Sequence, residues 1–207
     1  MLGYYGSCLS AVEINASFYR LPERTTVSKW KEAVPKGFRF VLKLPRFVSP
    51  SAKGDLSEAI AKFEACVAVL QEQQGPSLLL IAPSIKYRDA AWLGAFLDLF
   101  SKKTRLAIDA RHPSFHVTEV ERVLERRGHT LVINDGEELS ASLTKDAPFT
   151  YARLRRETYD MRALRQWYKN IQKTKSSEAY VFFKHDDIGH GGELALQLAK
   201  IVDSKKD

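Results

Sequence analysis

The sequence predicts an α/β protein, specifically a TIM-type (β/α) barrel that is incomplete and has seven strands. Short apolar segments alternate along the chain with amphipathic helical patterns, which is typical of parallel strands joined by helical crossovers. One segment, Ser77–Ala82, is almost wholly apolar, as expected of a strand that is buried on both faces. Neither a GxGxxG nor a GxxxxGK[ST] motif occurs, so the usual reason to prefer an open doubly wound sheet is missing.

The predicted strands are short runs rich in β-branched, aromatic and other apolar residues, each closed by a turn or a polar segment. In chain order they are Val12–Phe18, Phe38–Leu44, Ser77–Ala82, Arg105–Ala110, Thr130–Ile133, Phe149–Leu154 and Glu178–Phe183. In the second strand, Phe38 and Phe40 face one way while Arg39 and Val41 face the other. Residues 137–148 show no period and are predicted to form a loop.

The predicted helices carry apolar residues at three- and four-residue steps and lie between these strands. They cover Val27–Val34, Leu56–Gln74, Asp89–Phe100, Thr118–Arg127, Met161–Ile171 and Glu193–Val202. Thr25 or Thr26 can cap the first of them, and Gly-Pro at 75–76 and Gly128 stop two others. We expect residues 1–10 to form at most a short helix and the glycines at 189–192 to form a flexible turn.

Length and composition predict one domain over residues 1–207. Hydrophobic residues make up 44% of the 207-residue chain, enough for an ordinary core. The two cysteines, Cys8 and Cys66, show no CxxC motif and no zinc spacing, which is typical of a reduced, cytoplasmic protein without a structural metal. No long apolar run or signal-peptide pattern is present, so neither a membrane span nor secretion is expected.

The chain is basic, with a formal net charge of +7 and a sequence pI near 9.4. Such a balance is compatible with an anionic partner, either nucleic acid or a phosphorylated small molecule. The alternative is that the excess lies on solvated helix faces, for example at Arg122, Arg126 and Arg127.

The stretch Val12–Pro22, VEINASFYRLP, is the strongest indication of a site. Alternation by two along a strand puts Glu13, Asn15 and Ser17 on one face. Polar groups at the carboxyl ends of parallel strands are how α/β proteins build their sites. The alternative interpretation is an edge strand with one solvated face.

The candidate catalytic residues are Glu13, Lys43 and Asp109. In a parallel array they converge with other polar groups that lie on or just after strand ends. Glu13 and Asp109 could form a carboxylate pair for acid–base chemistry. Burial of Lys43 inside a strand would lower the pKa of its amine and suit it to act as a base or to form an imine. The alternative is a buried ion pair of Lys43 with either carboxylate and no chemistry.

The candidate ligand-binding residues are polar or aromatic groups near the same strand ends. They are Asn15, Tyr19, Arg20, Arg46, Arg111, His112, Arg153, Arg155 and His185. Arginines can hold phosphate or carboxylate in a bidentate manner, although single loop arginines are often only solvated. Tyr19 could stack on a ligand. His112 and His185 offer two metal ligands, fewer than a catalytic metal centre normally gathers, so a metal is not favoured and the cofactor stays unknown.

Six motifs resemble, in their order and spacing, those of the YecE-like family, a TIM-barrel-like group with a domain of unknown function. The motifs are VEINASFYRLP, FRFVLKLPRF, GPSLLLIAPS, AIDARHPSF, YARLR and VFFKHDDIGHGGELALQLA. The resemblance implies a conserved barrel mouth and no known reaction. Typical members carry an additional strand and helix, with a GTSGW-like motif, before the VEIN strand. Asp109 stands where they have Glu, and Arg155 where they have His.

Three functions are compatible with these observations. The first is a small-molecule barrel enzyme that binds an anionic, phosphorylated or sugar-like ligand. The second is a nucleic-acid binding or repair protein, and the third is a degenerate member that binds without catalysis. Because only seven strands are present, we also expect a gap or distortion between the first and the seventh, and an exposed strand edge through which the protein could oligomerise.

Overall fold

The computed structural model describes residues 2–136, 147–184 and 189–204. The strands are β1 Ala11–Ile14, β2 Arg39–Leu42, β3 Ser77–Ile81, β4 Leu106–Ala110, β5 Thr130–Leu131, β6 Ile133–Asn134, β7 Thr150–Leu154 and β8 Ala179–Phe183. The helices are α1 Leu2–Cys8, α2 Arg24–Glu32, α3 Ser57–Val67, α4 Ala90–Leu97, α5 Thr118–Glu125, α6 Met161–Gln172 and α7 His190–Asp203. The protein is thus a mixed α/β structure in which strand and helix alternate.

Every strand pair is parallel, and the strands follow one another in sequence order. Three ladders form, β1–β2, β3–β4–β5 and β6–β7–β8. Bridges from Phe40 to Gln74 and from Lys43 to Leu78 join the first ladder to the second. Because β5 and β6 are halves of one strand interrupted at Val132, all the carboxyl ends lie at the same edge of the array.

A seam separates β1 from β8, as the strand count predicts. Within the described residues β1 pairs only with β2, and β8 pairs only with β7, so no closed barrel forms. The bonds Arg39 N–H to Ser10 O and Lys184 N–H to Leu154 O fix which backbone groups face the partner strand. By alternation, the N–H and C=O groups of Glu13 in β1 and of Ala179 and Val181 in β8 point into the seam.

Strand 1 is shorter than the predicted Val12–Phe18, and the predicted alternation of Glu13, Asn15 and Ser17 on one strand is wrong after Ile14. A 3₁₀ turn at Ala16–Phe18 replaces the strand end. The hydroxyl of Ser17 donates to the carbonyl oxygens of Ile14 at 3.0 Å and Lys43 at 2.8 Å. These bonds satisfy carbonyl groups locally, which favours a turn over a longer strand.

Several predicted helix boundaries also differ from the structure. The helix predicted over Leu56–Gln74 ends at Val67 and continues as 3₁₀ turns to Gln73, because the buried Gln73 amide donates to Pro35 O at 2.9 Å and holds this end in place. Helix α2 begins after Glu23 rather than at a threonine cap. Helix α7 includes Gly191, where a Cβ would collide with the Lys184 carbonyl oxygen, so this glycine allows close packing rather than a flexible turn.

A pH dependence of stability is expected from His129, which is 4% exposed. Its Nδ1 accepts a hydrogen bond from Leu106 N–H at 3.3 Å, and burial lowers its pKa to about 4. The unfolded chain binds this proton near pH 6.5, so the folded state loses stability as the pH falls from about 6.5 to 4, by about 3 kcal/mol. Urea unfolding at several pH values measures this loss, and His129→Asn should remove that part of the slope. An unchanged slope in the variant would contradict the assignment.

Candidate functional site

A buried ion network joins Glu13, Lys43, Asp109 and Arg153. The two terminal nitrogens of Arg153 donate to Asp109 Oδ2 at 2.8 Å and to Glu13 Oε1 at 2.9 Å. Lys43 Nζ lies 3.5 Å from the same Glu13 oxygen. The side chains of Glu13 and Arg153 are 8% exposed, and that of Asp109 is 1% exposed. The three predicted catalytic residues therefore meet in one network, in which Arg153 bridges the two carboxylates.

Strand periodicity positions this network above an apolar floor. Buried residues from successive strands pack together inside the array, among them Val41, Leu78, Ala107, Val132, Tyr151 and Tyr180. Because strand side chains alternate, the residues two positions further along share this inward face. They include Lys43, Asp109, Asn134 and Arg153. The apolar layer shields the charged layer from water on one side, which strengthens its electrostatic interactions.

Two uncharged side chains complete the network, and the sequence analysis did not include them among the site residues. Tyr151 donates its hydroxyl to Glu13 Oε2 at 2.7 Å, and Asn134 donates its amide to Asp109 Oδ1 at 2.9 Å. Tyr151 shares its face with Arg153 in YARLR, so its spacing was a usable signal. Asn134 stands at the end of its strand, and only the fold shows its partner. The Asn134 Oδ1 atom is buried without a hydrogen-bond partner in the described chain.

Arg155 follows β7 and lies at the edge of the network. The carboxylate of Asp135 fixes the local backbone, because it accepts from Arg155 N–H at 2.8 Å and from the Tyr159 hydroxyl. Gly136 gives the Arg155 side chain its space, since a Cβ there would lie 2.6 Å from Arg155 Cβ. The Arg155 guanidinium makes no hydrogen bond or ion pair with any described residue, although it is only partly exposed. A half-buried cation thus stands beside the buried ion pairs.

Two clefts open at the site. The larger, about 1170 Å³, lies along the seam between β1 and β8 and reaches Glu13, Asn15, Lys43, Arg153 and Arg155. The smaller, about 450 Å³, lies beyond the ends of β2 and β3. Asn15, Tyr19, Lys43, Arg46 and Arg111 line it together with apolar residues. Asn15 and Lys43 line both clefts, so these two residues lie between them.

Burial and the neighbouring charges shift the pKa values of the cations at the site. Burial lowers the pKa of Lys43, and Arg153 and Arg155 lower it further, while Glu13 acts in the opposite direction. Burial and the charge of Arg153 also lower the pKa of Arg155. Burial alone would lower the pKa of Arg153, but the negative charges of Glu13 and Asp109 outweigh burial, and the pKa of Arg153 is raised. The carboxylates therefore stabilise Arg153 most, and the other cations repel one another.

Some predicted ligand-binding residues lie away from this centre. Tyr19 borders the small cleft but is 79% exposed, and Arg20 is exposed and lines neither cleft. His112 lines neither cleft. Its Nδ1 accepts a hydrogen bond from Ser114 N–H, and His112 thereby caps the 3₁₀ turn at Pro113–Phe115. His185 lies outside the described residues. Of the predicted ligand-binding residues, the large cleft is lined by Asn15, Arg153 and Arg155, and the small cleft by Asn15, Tyr19, Arg46 and Arg111. Arg20 and His112 line neither cleft.

Neither a metal cluster nor a membrane span is found in the described chain. No group of three or more His, Cys, Asp or Glu residues there is arranged to hold a metal ion. No helix in those same ranges is long and apolar enough to cross a membrane. Cys8 is exposed and Cys66 is buried, and both are free thiols.

The fold and the site define a parallel α/β protein with a charged cluster at the carboxyl ends of its strands. The whole chain, residues 1–207, matches the family described as "Protein of unknown function DUF72". The chain belongs to this family, and the resemblance seen in its motifs is confirmed.

Known relatives agree with this assignment. The chain is 27% identical over 132 residues to the UPF0759 protein YecE of Escherichia coli K12, an alignment that covers 63% of this chain and 48% of the relative. The chain thus spans about half the length of the curated relatives it matches.

Solved structures of the same family share the fold. A DUF72 family protein from Enterococcus faecalis V583 superposes with a TM-score of 0.85 at 22% identity, covering 98% of this chain and 93% of that one. A DUF72 family protein from Thermotoga maritima MSB8 gives a TM-score of 0.75 at 22% identity, covering 94% and 85%. At this level of identity the likeness concerns the fold alone.

Proposed function

We propose that the protein is a small-molecule enzyme that binds an anionic, phosphorylated or sugar-like ligand at the carboxyl ends of its strands. The observation that carries the proposal is Arg155, a partly buried cation at a cleft with no hydrogen bond or ion pair from the described residues. Leaving a desolvated charge unpaired is costly, so a bound anion would stabilise it. Arginine also binds carboxylate and phosphate in a bidentate manner.

The charge balance around Arg155 supports the same conclusion. Among the residues that the structure describes, Lys43, Arg111, Arg153 and Arg155 lie around two carboxylates, Glu13 and Asp109, so positive charge exceeds negative by two within this group. The smaller cleft, about 450 Å³, has the size of a small-molecule site, typically about 300–1000 Å³, and the larger cleft, about 1170 Å³, is slightly above that range. We further propose that the strands form an incomplete (β/α) barrel, with the site at its mouth, where such folds place their active sites.

Isothermal titration calorimetry with inorganic phosphate and with glucose 6-phosphate tests this proposal. We expect saturable binding at one site per chain. Arg155→Gln should weaken it by about 10- to 100-fold, because a hydrogen bond to a charged group contributes about 1.5–3 kcal/mol. Arg165→Gln is the matched control, since it makes the same charge change on the exposed face of α6.

Two results would contradict the proposal. If the two variants lose affinity equally, the binding depends on net charge and not on the site. If neither anion binds but single-stranded oligonucleotides bind with a steep salt dependence, the nucleic-acid alternative is favoured instead. The convergence of the cations at two clefts favours the small ligand, because nucleic acid requires a broader basic surface.

A further inference from the structure

Lys43 holds the one amine of the buried network. Its side chain is 12% exposed, and its Nζ contacts Glu13 at 3.5 Å. The same carboxylate accepts shorter bonds from Tyr151 and Arg153, at 2.7 and 2.9 Å. The charge of Glu13 is thus already satisfied by closer donors, and the amine is its weakest partner.

Of the four cations described at the site, Lys43 is the only one that can relieve their surplus of positive charge. Arginine stays protonated in proteins, so Arg111, Arg153 and Arg155 keep their charges. Lysine is the cation that loses its proton readily when it is buried beside other cations. A neutral Lys43 amine could still donate a hydrogen bond to Glu13, and its lone pair would be free to react with a ligand in a cleft that Lys43 lines.

We propose that Lys43 forms an imine with the carbonyl carbon of an anionic aldehyde or ketone whose charged group is held by Arg155. This inference rests on the proposed anion-binding function and adds the chemical class of the ligand. The neutral Nζ attacks the carbonyl carbon, a C–N bond forms, and the π electron pair moves to the oxygen. Nitrogen first gives up one proton, which converts that oxygen to a hydroxyl. It then gives up its second proton to this hydroxyl, which leaves as water with the C–O electron pair, and the nitrogen lone pair forms the C=N bond. Glu13 Oε1 is close enough to Nζ to accept and return these protons.

The position of Lys43 suits this chemistry in two respects. The apolar floor beneath the charged layer limits access of water, which favours the condensation over hydrolysis. Lys43 lines the large cleft together with Arg155, and the small cleft together with Arg46 and Arg111. An anionic carbonyl compound held by Arg155 would therefore lie in a cleft that Lys43 also lines.

Pyridoxal 5′-phosphate, an anionic aldehyde, is the probe for this inference. The protein is incubated with limiting probe and reduced with borohydride, and the labelled lysines are quantified by peptide mass spectrometry. We expect Lys43 to be labelled at least about tenfold faster than the exposed Lys103, because a bound aldehyde has a high effective concentration at its nucleophile. Excess inorganic phosphate and Arg155→Gln should each abolish this preference, whereas Arg165→Gln should not. Lys43→Arg should remove the fast label, because a guanidinium cannot form the imine.

The outcomes separate this inference from the proposed function. If phosphate binds but Lys43 reacts no faster than Lys103, the imine is overturned while the anion site stands. If Lys43 reacts quickly with pyridoxal, which lacks the phosphate, and Arg155→Gln has no effect, Arg155 does not hold the ligand and the inference is also overturned. If phosphate itself does not bind, the proposed function is overturned, and the imine inference that rests on it is overturned with it. The decisive comparison uses the unmodified protein, so it does not depend on the folding of any variant.

Discussion

Replacing Arg153 with methionine is expected to lower the free energy of unfolding by about 3–5 kcal/mol, because removing one partner of a buried ion pair leaves uncompensated charge. Here two carboxylates, Glu13 and Asp109, lose their shortest charged contact at once. Methionine keeps most of the side-chain volume, so the loss reports the charge rather than a cavity. Chemical denaturation of the purified variant, followed by circular dichroism, measures it.

A triple variant provides the matched control. Glu13→Gln and Asp109→Asn, combined with Arg153→Met, remove both orphaned charges and should recover part of the lost stability, since a buried network can often be replaced by neutral groups. Arg162→Met, on the exposed surface of α6, should change stability by less than about 0.5 kcal/mol. If Arg153→Met were as mild as Arg162→Met, the carboxylates would be solvated and the network would not be buried as described.

The second large effect concerns proline in β8, which borders the seam, and in its interior neighbour β7. Ala152 and Ala179 are both alanines, so the same substitution can be made in β7 and in β8. The N–H of Ala152 belongs to the ladder with β8, whereas the N–H of Ala179 points into the seam. Ala152→Pro should cost about 3 kcal/mol or more, and Ala179→Pro should stay within about 1 kcal/mol of the parent protein.

Urea denaturation of both variants, together with light scattering, checks this asymmetry. A large loss at Ala179 would show that its N–H has a hydrogen-bond partner in solution. The seam would then be closed or covered, for example by a second copy of the chain that pairs with the edge of β8. Equal scattering masses for the parent and Ala179→Pro, combined with equal stability, would support an uncovered edge.

The sequence was sufficient to predict which residues share the inner face of the array. Strand alternation is a local property of the backbone, so the parity of Lys43, Asp109 and Arg153 could be read from their segments. The repeat of strand and helix likewise predicted parallel strands with their carboxyl ends together, and the strand count predicted a seam at β1 and β8. These inferences depend on periodicity, which needs no knowledge of distant contacts.

Segment ends were harder to predict, because long-range hydrogen bonds decide them. Ser17 ends β1 through a bond to Lys43 O, 26 residues away in the chain, and Gln73 holds its 3₁₀ turn through Pro35 O, 38 residues away. Propensity and pattern do not include such partners. The same reason applies to Gly191. A glycine is required there because a Cβ would collide with the Lys184 carbonyl oxygen, and that contact exists only in the folded protein.

Only the tertiary structure decided how the charges are paired. Whether Lys43 is matched with Glu13 or Asp109, and whether the two carboxylates form a pair, depends on side chains brought together from β1, β2, β4 and β7. Arg153 donates hydrogen bonds to both carboxylates, and Lys43 is therefore a weaker partner of Glu13. The Arg155 guanidinium has no hydrogen-bond or ion-pair partner in the described chain. Electrostatic energy depends on distance and burial, and neither is encoded by position along the chain. The sequence by itself determined the charged layer, and the packing of the strands determined which charges remain available to a ligand.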